Sequence, residues 1–206
     1  MSLLTLADYL GVFVFAISGG LVAIRFNLDL FGILVVSLLP AVGGGTLRDL
    51  LLDVPVFWLN DEWVICIALL GGVTAIVYKS LTKLRLLVWA DAFGLALFAM
   101  LGMYKAYMLG HGFITVVAMG TITATAGGLI RDVVCGGPPL LLKEDIYAIA
   151  ALGGRRIIKN CLVFGVPSAL ALGTGFLATF IIRALAISFK LSLPTSEWVH
   201  KKLYRD

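Results

Sequence analysis

Charged residues are scarce in this sequence. Only 14% of its 206 residues are Asp, Glu, Lys or Arg, whereas about a quarter of a soluble domain is charged. With 61% hydrophobic residues and a mean hydropathy of +1.05, a water-soluble body would expose large apolar patches. We therefore expect a membrane protein, in which the net charge of +4 reports orientation in the bilayer and not affinity for nucleic acid.

Residues that carry common catalytic or metal chemistry are equally few. His111 and His200 have no Cys or Ser partner at a useful spacing, and the sequence contains no P-loop, dinucleotide glycine fingerprint or zinc spacing. Cys66 and Cys161 lie in apolar runs, where we predict small core residues. We expect no enzymatic activity and no cofactor. No basic segment precedes the first apolar run, so we expect that run to remain as a membrane helix.

One motif is present twice. Gly44-Gly45-Thr46-Leu47-Arg48-Asp49 returns as Gly127-Gly128-Leu129-Ile130-Arg131-Asp132, so adding 83 to each residue number of the first copy gives the second. One register held over about 50 positions without a gap indicates an internal duplication. The same shift relates Asp8 to Asp91, Gly11 to Gly94, Phe15 to Phe98, Gly19 to Gly102, Pro55 to Pro138, and Asp61-Glu62 to Glu144-Asp145.

The apolar runs predict an all-α membrane protein with a single transmembrane domain over residues 1–190 and a polar tail over 191–206. The first repeat covers about 6–80 and the second about 89–163, with three spans each, and the seventh span has no partner. Because three is odd, the second repeat enters from the opposite side, which predicts an inverted repeat about an axis in the membrane plane. The predicted spans are 6–24, 29–52, 62–79, 88–107, 112–134, 145–164 and 166–188.

Basic residues predict the orientation. With the N-terminus outside and the C-terminus in the cytoplasm, the external loops keep only Lys105 and Lys159. The pair Arg155-Arg156 is an anomaly, since it falls within the sixth predicted span. Either that span is short and the pair reaches an interface, or it lines a wet cavity. The predicted cytoplasmic residues are Arg25, Lys79, Lys83, Arg85, Lys143, Lys190, Lys201, Lys202 and Arg205.

Glycine runs lie in the middle of the second and fifth spans. Gly43-Gly44-Gly45 follows Pro40, and Gly127-Gly128 occupies the matching place in the second repeat. Glycine and proline weaken a helix, so we predict two broken helices whose freed carbonyls coordinate a monovalent cation, K⁺ or Na⁺. The alternative is that these glycines permit close helix packing.

Charged and hydroxyl side chains surround these glycines. Arg48-Asp49 would lie in the outer half of the membrane and Arg131-Asp132 in the inner half, flanking a central constriction as pore charges. The alternative is that each arginine only locks the fold. Asp8 and Asp91 either cap helices or pair with the arginine on the same side. Five hydroxyls either line a wet path or bond back to their own helix carbonyls: Ser18, Thr46, Thr121, Thr123 and Thr125.

The twin Gly-Gly-x-x-Arg-Asp motifs, the Asp-x-x-Gly-x-x-x-Phe-Ala segments from Asp8 and Asp91, and the three-plus-three-plus-one layout resemble the prokaryotic TRIC family of trimeric intracellular cation channel homologues. The resemblance implies a homotrimer in the lipid of the prokaryotic inner membrane. It implies one pore in each seven-helix protomer, permeable to monovalent cations and favouring potassium. The second and fifth helices would kink at their glycines, with Arg48 and Arg131 beside the pore.

The sequence departs from that pattern in two places. Ala126 stands where the first motif has Gly43, so the fifth helix would bend less, and Arg155-Arg156 is atypical of the sixth helix. Some bacterial relatives are linked to glycine uptake, so a secondary transporter of a small solute is the alternative to a passive channel, and a non-conducting structural protein is a third hypothesis. Paired arginines oppose a cation pore unless acids or carbonyls offset them.

Overall fold

The protein is described here from a computed structural model, which covers residues 3–78, 84–137 and 168–189. These residues form six α-helices and one short 3₁₀ turn at Phe57–Leu59. The predicted sixth span, 145–164, lies outside the described residues, as do Pro138, Glu144-Asp145, Arg155-Arg156, Cys161 and the polar tail. The helices are α1 Leu3–Arg25, α2 Leu30–Leu51, α3 Trp63–Val77, α4 Leu84–Met108, α5 Phe113–Val134 and α6 Ser168–Phe189.

The protein is an all-helical membrane protein, as predicted. Five of the described helices, α1, α2, α4, α5 and α6, are long and apolar enough to cross a bilayer. The fifteen residues of α3 make a helix of about 22 Å, which is shorter than the hydrocarbon core of about 30 Å. The total of seven spans therefore remains a prediction.

The duplication is visible in the backbone. Helix α5 begins and ends 83 residues after α2, and α4 ends 83 residues after α1. Among the described residues, four have a positive φ, and they also form two pairs at that spacing: Asn27 (55°) with Gly110 (81°), and Asp53 (52°) with Gly136 (69°). Each pair stands just after a helix end, where a left-handed residue terminates the helix. The two repeats therefore stop their helices by the same backbone device.

Helices α1 and α4 form the centre of the bundle. Helix α1 packs against α2, α3 and α4, whereas α4 packs against α1, α5 and α6. At their contact the rings of Phe15 and Phe98 stack with centroids 5.1 Å apart. The Phe98 ring covers Gly11, and the Phe15 ring covers Gly94. The contacts exchange under the 83-residue shift and run in opposite directions along the two helices, so α1 and α4 are antiparallel.

Helices α2 and α5 cross through their glycines in the same reciprocal way. A Cβ atom at Gly127 would lie 2.5 Å from the carbonyl oxygen of Pro40, and one at Gly44 would meet the carbonyl oxygen of Thr123. Pro40 and Thr123 are themselves 83 residues apart. Neither position has room for a side chain, so glycine permits backbone-to-backbone contact. This crossing is also antiparallel.

The predicted helix breaks are therefore wrong. Helix α2 continues from Leu30 through Gly43–Gly45 to Leu51, and α5 continues through Gly127-Gly128 to Val134. Close packing of the two helices compensates for the weak helix propensity of glycine, as tertiary contacts commonly do. Continuous helices remove the basis for the predicted cation site at carbonyls near Gly43–Gly45 and Gly127-Gly128.

Pro40 lies inside α2 without ending it. Proline has no N–H to donate to the Val36 carbonyl, and the backbone of Gly19 covers that oxygen so closely that a Cβ atom there would collide with it. In the second repeat, the hydroxyl of Thr123 donates to the Met119 carbonyl over 2.5 Å. The first repeat thus tolerates proline because a neighbouring glycine lets α1 approach the carbonyl, where Cα–H groups are weak donors.

The prediction that Cys66 is a core residue is also wrong. Cys66 is exposed on α3, whereas Val64 and Ala68 of the same helix are buried. Helix α3 is apolar on every side, so its sequence does not distinguish the face that packs against α1 from the face turned outward.

Candidate functional site: two buried arginine–aspartate clusters

The first cluster is built around Asp49, near the end of α2. Its Oδ1 accepts from Arg48 Nε and from Lys105 Nζ, both over 2.7 Å, and its Oδ2 accepts from the backbone N–H of Phe57 over 2.9 Å. The side chain of Asp49 is fully buried and that of Arg48 nearly so. Charge-assisted bonds to both carboxylate oxygens offset the cost of burying these charges.

The 3₁₀ turn covers this cluster. The Phe57 ring packs on Gly45 and lies under the Arg48 guanidinium, 5.7 Å from ring centroid to Cζ, within the range of a cation–π contact. The indole N–H of Trp58 donates to the Thr46 hydroxyl over 2.9 Å. The loop after α2 thus folds back and covers the cluster at the C-terminal end of that helix.

The second cluster is built around Arg131, the equivalent of Arg48. Its Nε donates to Asp132 Oδ1 over 2.7 Å, and its Nη1 donates to Asp91 Oδ1 over 2.9 Å and to Ser18 Oγ over 2.5 Å. Only 1% of the Arg131 side chain is exposed. The predicted pairing of Asp91 with Arg131 is therefore observed, and it links α4 to α5.

The equivalent pairing in the first repeat is not observed. Among the described residues the salt bridge of Arg48 is to Asp49, and Asp8 interacts with Arg48 and Lys105 only at longer range. The helix-capping alternative for Asp8 and Asp91 is wrong as well. Helices α1 and α4 begin at Leu3 and Leu84, so neither aspartate lies in a first turn.

Two positions break the symmetry between the clusters. Lys105 reaches the first cluster from α4, whereas the equivalent position on α1 is Val22; Ser18 reaches the second cluster from α1, and its equivalent on α4 is Leu101. In the first cluster two cationic side chains, Arg48 and Lys105, contact one carboxylate, Asp49, and Asp8 lies at longer range. In the second cluster one cationic side chain, Arg131, contacts two carboxylates, Asp91 and Asp132.

The threonines of this region bond to their own helices. Each hydroxyl donates to the carbonyl four residues earlier, the back-bonding alternative left open from the sequence. Thr123 is fully buried at the crossing of α2 and α5. Ser18 differs, since its oxygen accepts from Arg131. The back-bonded threonines are Thr46 to Val42 at 2.7 Å, Thr121 to Val117 at 3.0 Å, Thr123 to Met119 at 2.5 Å and Thr125 to Thr121 at 2.7 Å.

Sequence reasoning missed several members of the site. The sequence predicts Lys105 in an external loop, but it lies in the last turn of α4, with its ammonium on Asp49. Arg183 on α6 is a further buried charge outside the contacts described for the two clusters; a single arginine in an apolar span is the signal that could mark it. Nothing in the sequence marks Phe57, because it contacts Asp49 through its backbone N–H, a group that does not depend on the side chain.

The clusters lie on opposite sides of the helix crossing. On α2 the centre of the crossing lies between Pro40 and Gly44, about six residues before Arg48. On α5, which runs in the opposite direction, it lies about six residues before Arg131. At 1.5 Å per residue, each cluster is about 9 Å from the crossing along the helix axes. The arrangement is two buried charged sites separated by a tight backbone contact.

Comparison with known proteins gives one consistent result. The family model described as "Glycine transporter" matches residues 5–80 and 88–159, one match for each repeat. The UPF0126 inner membrane protein YadS of Escherichia coli is 41% identical over 194 residues, covering 91% of this chain and 93% of that protein. A UPF0126 membrane protein of Vibrio cholerae is 40% identical over 203 residues, covering 94% and 83%.

Solved structures agree. The TRIC trimeric intracellular cation channel orthologue from Rhodobacter sphaeroides has a TM-score of 0.86 at 38% identity, covering 93% of this chain and all of that one. A structure described as the basis for conductance through TRIC cation channels has a TM-score of 0.81 at 35% identity, covering 95% and 98%. The chain therefore belongs to the prokaryotic TRIC family of UPF0126 membrane proteins, whose family model is described as a glycine transporter.

Proposed function

We propose that the protein is a channel for monovalent cations that favours potassium, with one pore in each protomer of a homotrimer. The observation that carries the proposal is the pair of buried arginine–aspartate clusters on opposite sides of the α2·α5 crossing. Burying an arginine in a bilayer costs several kcal/mol, and a duplicated cost of this kind is explained by a path for ions. The relatives described as TRIC cation channels support the same function.

The charges of the clusters remove the main objection to a cation pore. Each arginine is bonded to at least one carboxylate, and Arg131 is bonded to two. A permeant K⁺ or Na⁺ would therefore meet buried carboxylates on both sides of the crossing. Carboxylates flanking a narrow path favour cations over anions.

We place the narrowest point of this path at the crossing. The backbones of Gly44 and Gly127 contact the carbonyls of Thr123 and Pro40 without space for a side chain. Conduction between the clusters then requires α2 and α5 to separate. Helix motions of this kind, about 1–2 Å, are common in switching proteins.

An inverted repeat fits the proposal. The antiparallel, reciprocal contacts of α1 with α4 and of α2 with α5, together with the separate family matches to 5–80 and 88–159, support a two-fold axis in the membrane plane. We place seven spans in one domain over 1–190, the N-terminus outside, the C-terminus in the cytoplasm, and the chain in the inner membrane, where its Escherichia coli relative resides by name.

The similar structure described as trimeric supports a homotrimer. Helices α2 and α5 present large exposed apolar side chains at equivalent positions, including Phe31 and Ile114, which suit contact with lipid or with other protomers. Crosslinking in detergent should give a trimer. A stable monomer across detergents and protein concentrations would contradict this assembly.

Glycine uptake is the second candidate, favoured by the description of the matching family. Each cluster offers both signs of charge, and a zwitterionic amino acid has a carboxylate for a guanidinium and an ammonium for an aspartate. A transporter would bind such a solute at a saturable site and alternate access across the membrane.

Planar-bilayer recording of the purified protein in potassium salt, with and without glycine, separates the two functions. A channel gives unitary currents that glycine does not require, whereas a transporter gives saturable glycine uptake without unitary currents. Arg48→Ala and Arg131→Ala provide the link to the site. If the arginines serve the pore, surviving protein conducts differently; if they are only structural clamps, yield falls and the surviving protein conducts as the parent does.

A further inference from the structure

We infer that Lys105 is a tethered cation: its ammonium occupies, on Asp49, the position that a permeant cation would otherwise take, and so sets the cation affinity of the first cluster. This inference rests on the proposed function for its role in conduction, but its binding part is testable without any current. It assigns to Lys105 control of ion occupancy at one end of the pore.

The geometry supports displacement of the ammonium without collapse of the site. Lys105 Nζ lies 2.7 Å from Asp49 Oδ1, but Asp49 also accepts from Arg48 Nε and from the Phe57 N–H. Both carboxylate oxygens therefore keep a donor when the ammonium leaves. The departure would remove one positive charge from the site and leave Arg48 as the cationic contact of Asp49 among the described residues.

The exposure of the two partners supports exchange. The Asp49 side chain is fully buried, whereas 33% of the Lys105 side chain is exposed. The lysine stem thus runs from the surface of the protomer to a buried carboxylate and can swing outward, since its ammonium is a compact charge on a flexible chain. A mobile monovalent cation is a point charge that needs oxygen ligands, and a carboxylate provides them.

The internal duplication supplies the control for this interpretation. At the equivalent position of the first repeat stands Val22, which is buried and apolar. The protein therefore already accommodates valine at this register of the fold. Lys105→Val copies the first repeat into the second, and Lys105→Arg keeps a tethered cation in place.

The first experiment is thermal unfolding of purified protein in KCl and in N-methyl-D-glucamine chloride at equal ionic strength. Ligand that binds the folded state stabilises it by mass action. We expect Lys105→Val to gain several degrees in Tm from potassium, and the parent and Lys105→Arg to show no such gain. Methylammonium, which mimics the lost side-chain head, should stabilise Lys105→Val as well. Equal responses of all three proteins to potassium would overturn the inference.

The second experiment is the concentration dependence of conductance. Because one positive charge leaves the site, the potassium concentration that gives half-maximal current should fall about tenfold or more in Lys105→Val. If the potassium concentration for half-maximal current is unchanged while the currents remain intact, the inference is wrong and the proposed function still stands. A potassium-specific Tm gain in a protein that never conducts would support the inference on ion binding and contradict the proposed function.

Lys105→Gln serves if the valine variant does not fold. It keeps a hydrogen-bond donor for Asp49 without the charge, so it should show the same dependence of Tm on potassium. If both variants are recovered only when potassium or methylammonium is present during purification, that dependence itself supports the inference. Equal loss of both variants in every cation would assign Lys105 a structural role and overturn it.

Discussion

Alanine substitutions at the glycines of the α2·α5 crossing distinguish close packing from helix flexibility. A Cβ atom at Gly127 would lie 2.5 Å from the Pro40 carbonyl oxygen and 3.0 Å from its Cα, and one at Gly44 would meet the Thr123 carbonyl. Backbone atoms cannot rotate away, so the helices must move apart. A separation of about 0.5–1 Å forfeits a quarter to a half of the dispersion energy across each contact.

The neighbouring glycines are matched controls. A Cβ atom at Gly43 would lie 3.2 Å from Ile130 Cδ1, the far end of a flexible side chain, and one at Gly128 would meet nothing closer than 3.7 Å. All four substitutions gain the same helix propensity, about 1 kcal/mol, whereas overpacking costs about 1–3 kcal/mol. We expect Gly44→Ala and Gly127→Ala to be less stable than Gly43→Ala and Gly128→Ala by that overpacking cost.

Thermal unfolding in detergent measures this difference. For a chain of this size, about 1 kcal/mol shifts Tm by about 2–4 °C, so the two pairs should differ by about 5 °C. Circular dichroism of each variant before heating verifies that the helices remain. If Gly43→Ala and Gly128→Ala lowered Tm as much as the other two, the helices would need glycine for flexibility, and the close-packing account would be refuted.

Three further predictions concern the clusters and the core. Arg131→Ala should reduce the yield of folded protein more than Arg48→Ala, because it breaks two buried salt bridges, those to Asp91 and Asp132, and removing one partner of a buried pair costs about 3–5 kcal/mol. Arg48→Ala breaks one and leaves Asp49 bonded to Lys105 and the Phe57 N–H. Equal yields by fluorescence-detected size exclusion would contradict this. Phe98→Ala should destabilise by about 3–5 kcal/mol, and combined with Phe15→Ala the loss should be less than the sum, because the rings share one contact; additive losses would refute the shared contact. Ser18→Ala, which leaves the charged partners of Arg131 in place, should lower stability by about 1 kcal/mol, checked by Tm.

The helical architecture could be predicted from the sequence, because an internal duplication is visible as a constant spacing between matching residues. The 83-residue shift read from Arg48-Asp49 and Arg131-Asp132 also relates the bounds of α2 and α5 and the left-handed residues Asn27 and Gly110. Helix ends depend on local chain chemistry, which the two copies share. Pairing of Asp91 with Arg131, one of the two roles that the sequence left open for this aspartate, is observed.

Contacts between helices were beyond the sequence. The motif around Gly44 is compatible both with a broken helix and with a close crossing, and only the position of Thr123 on the facing helix decides between them. Arg48 forms its salt bridge with Asp49 and not with Asp8, and Lys105 from α4 completes that cluster. Which long side chain reaches a buried carboxylate depends on the relative rotation of packed helices, and residue spacing within one helix does not encode it.

The reversal potential of single-channel currents tests the central claim most directly. Purified protein in a planar bilayer is recorded across a tenfold KCl gradient, for which perfect selectivity for potassium gives about 59 mV. The account predicts unitary currents that reverse near that value, with the sign of a cation current, and the same result when glycine is present. Reversal near zero or with the opposite sign, or saturable glycine uptake by proteoliposomes that never show unitary currents, would contradict it.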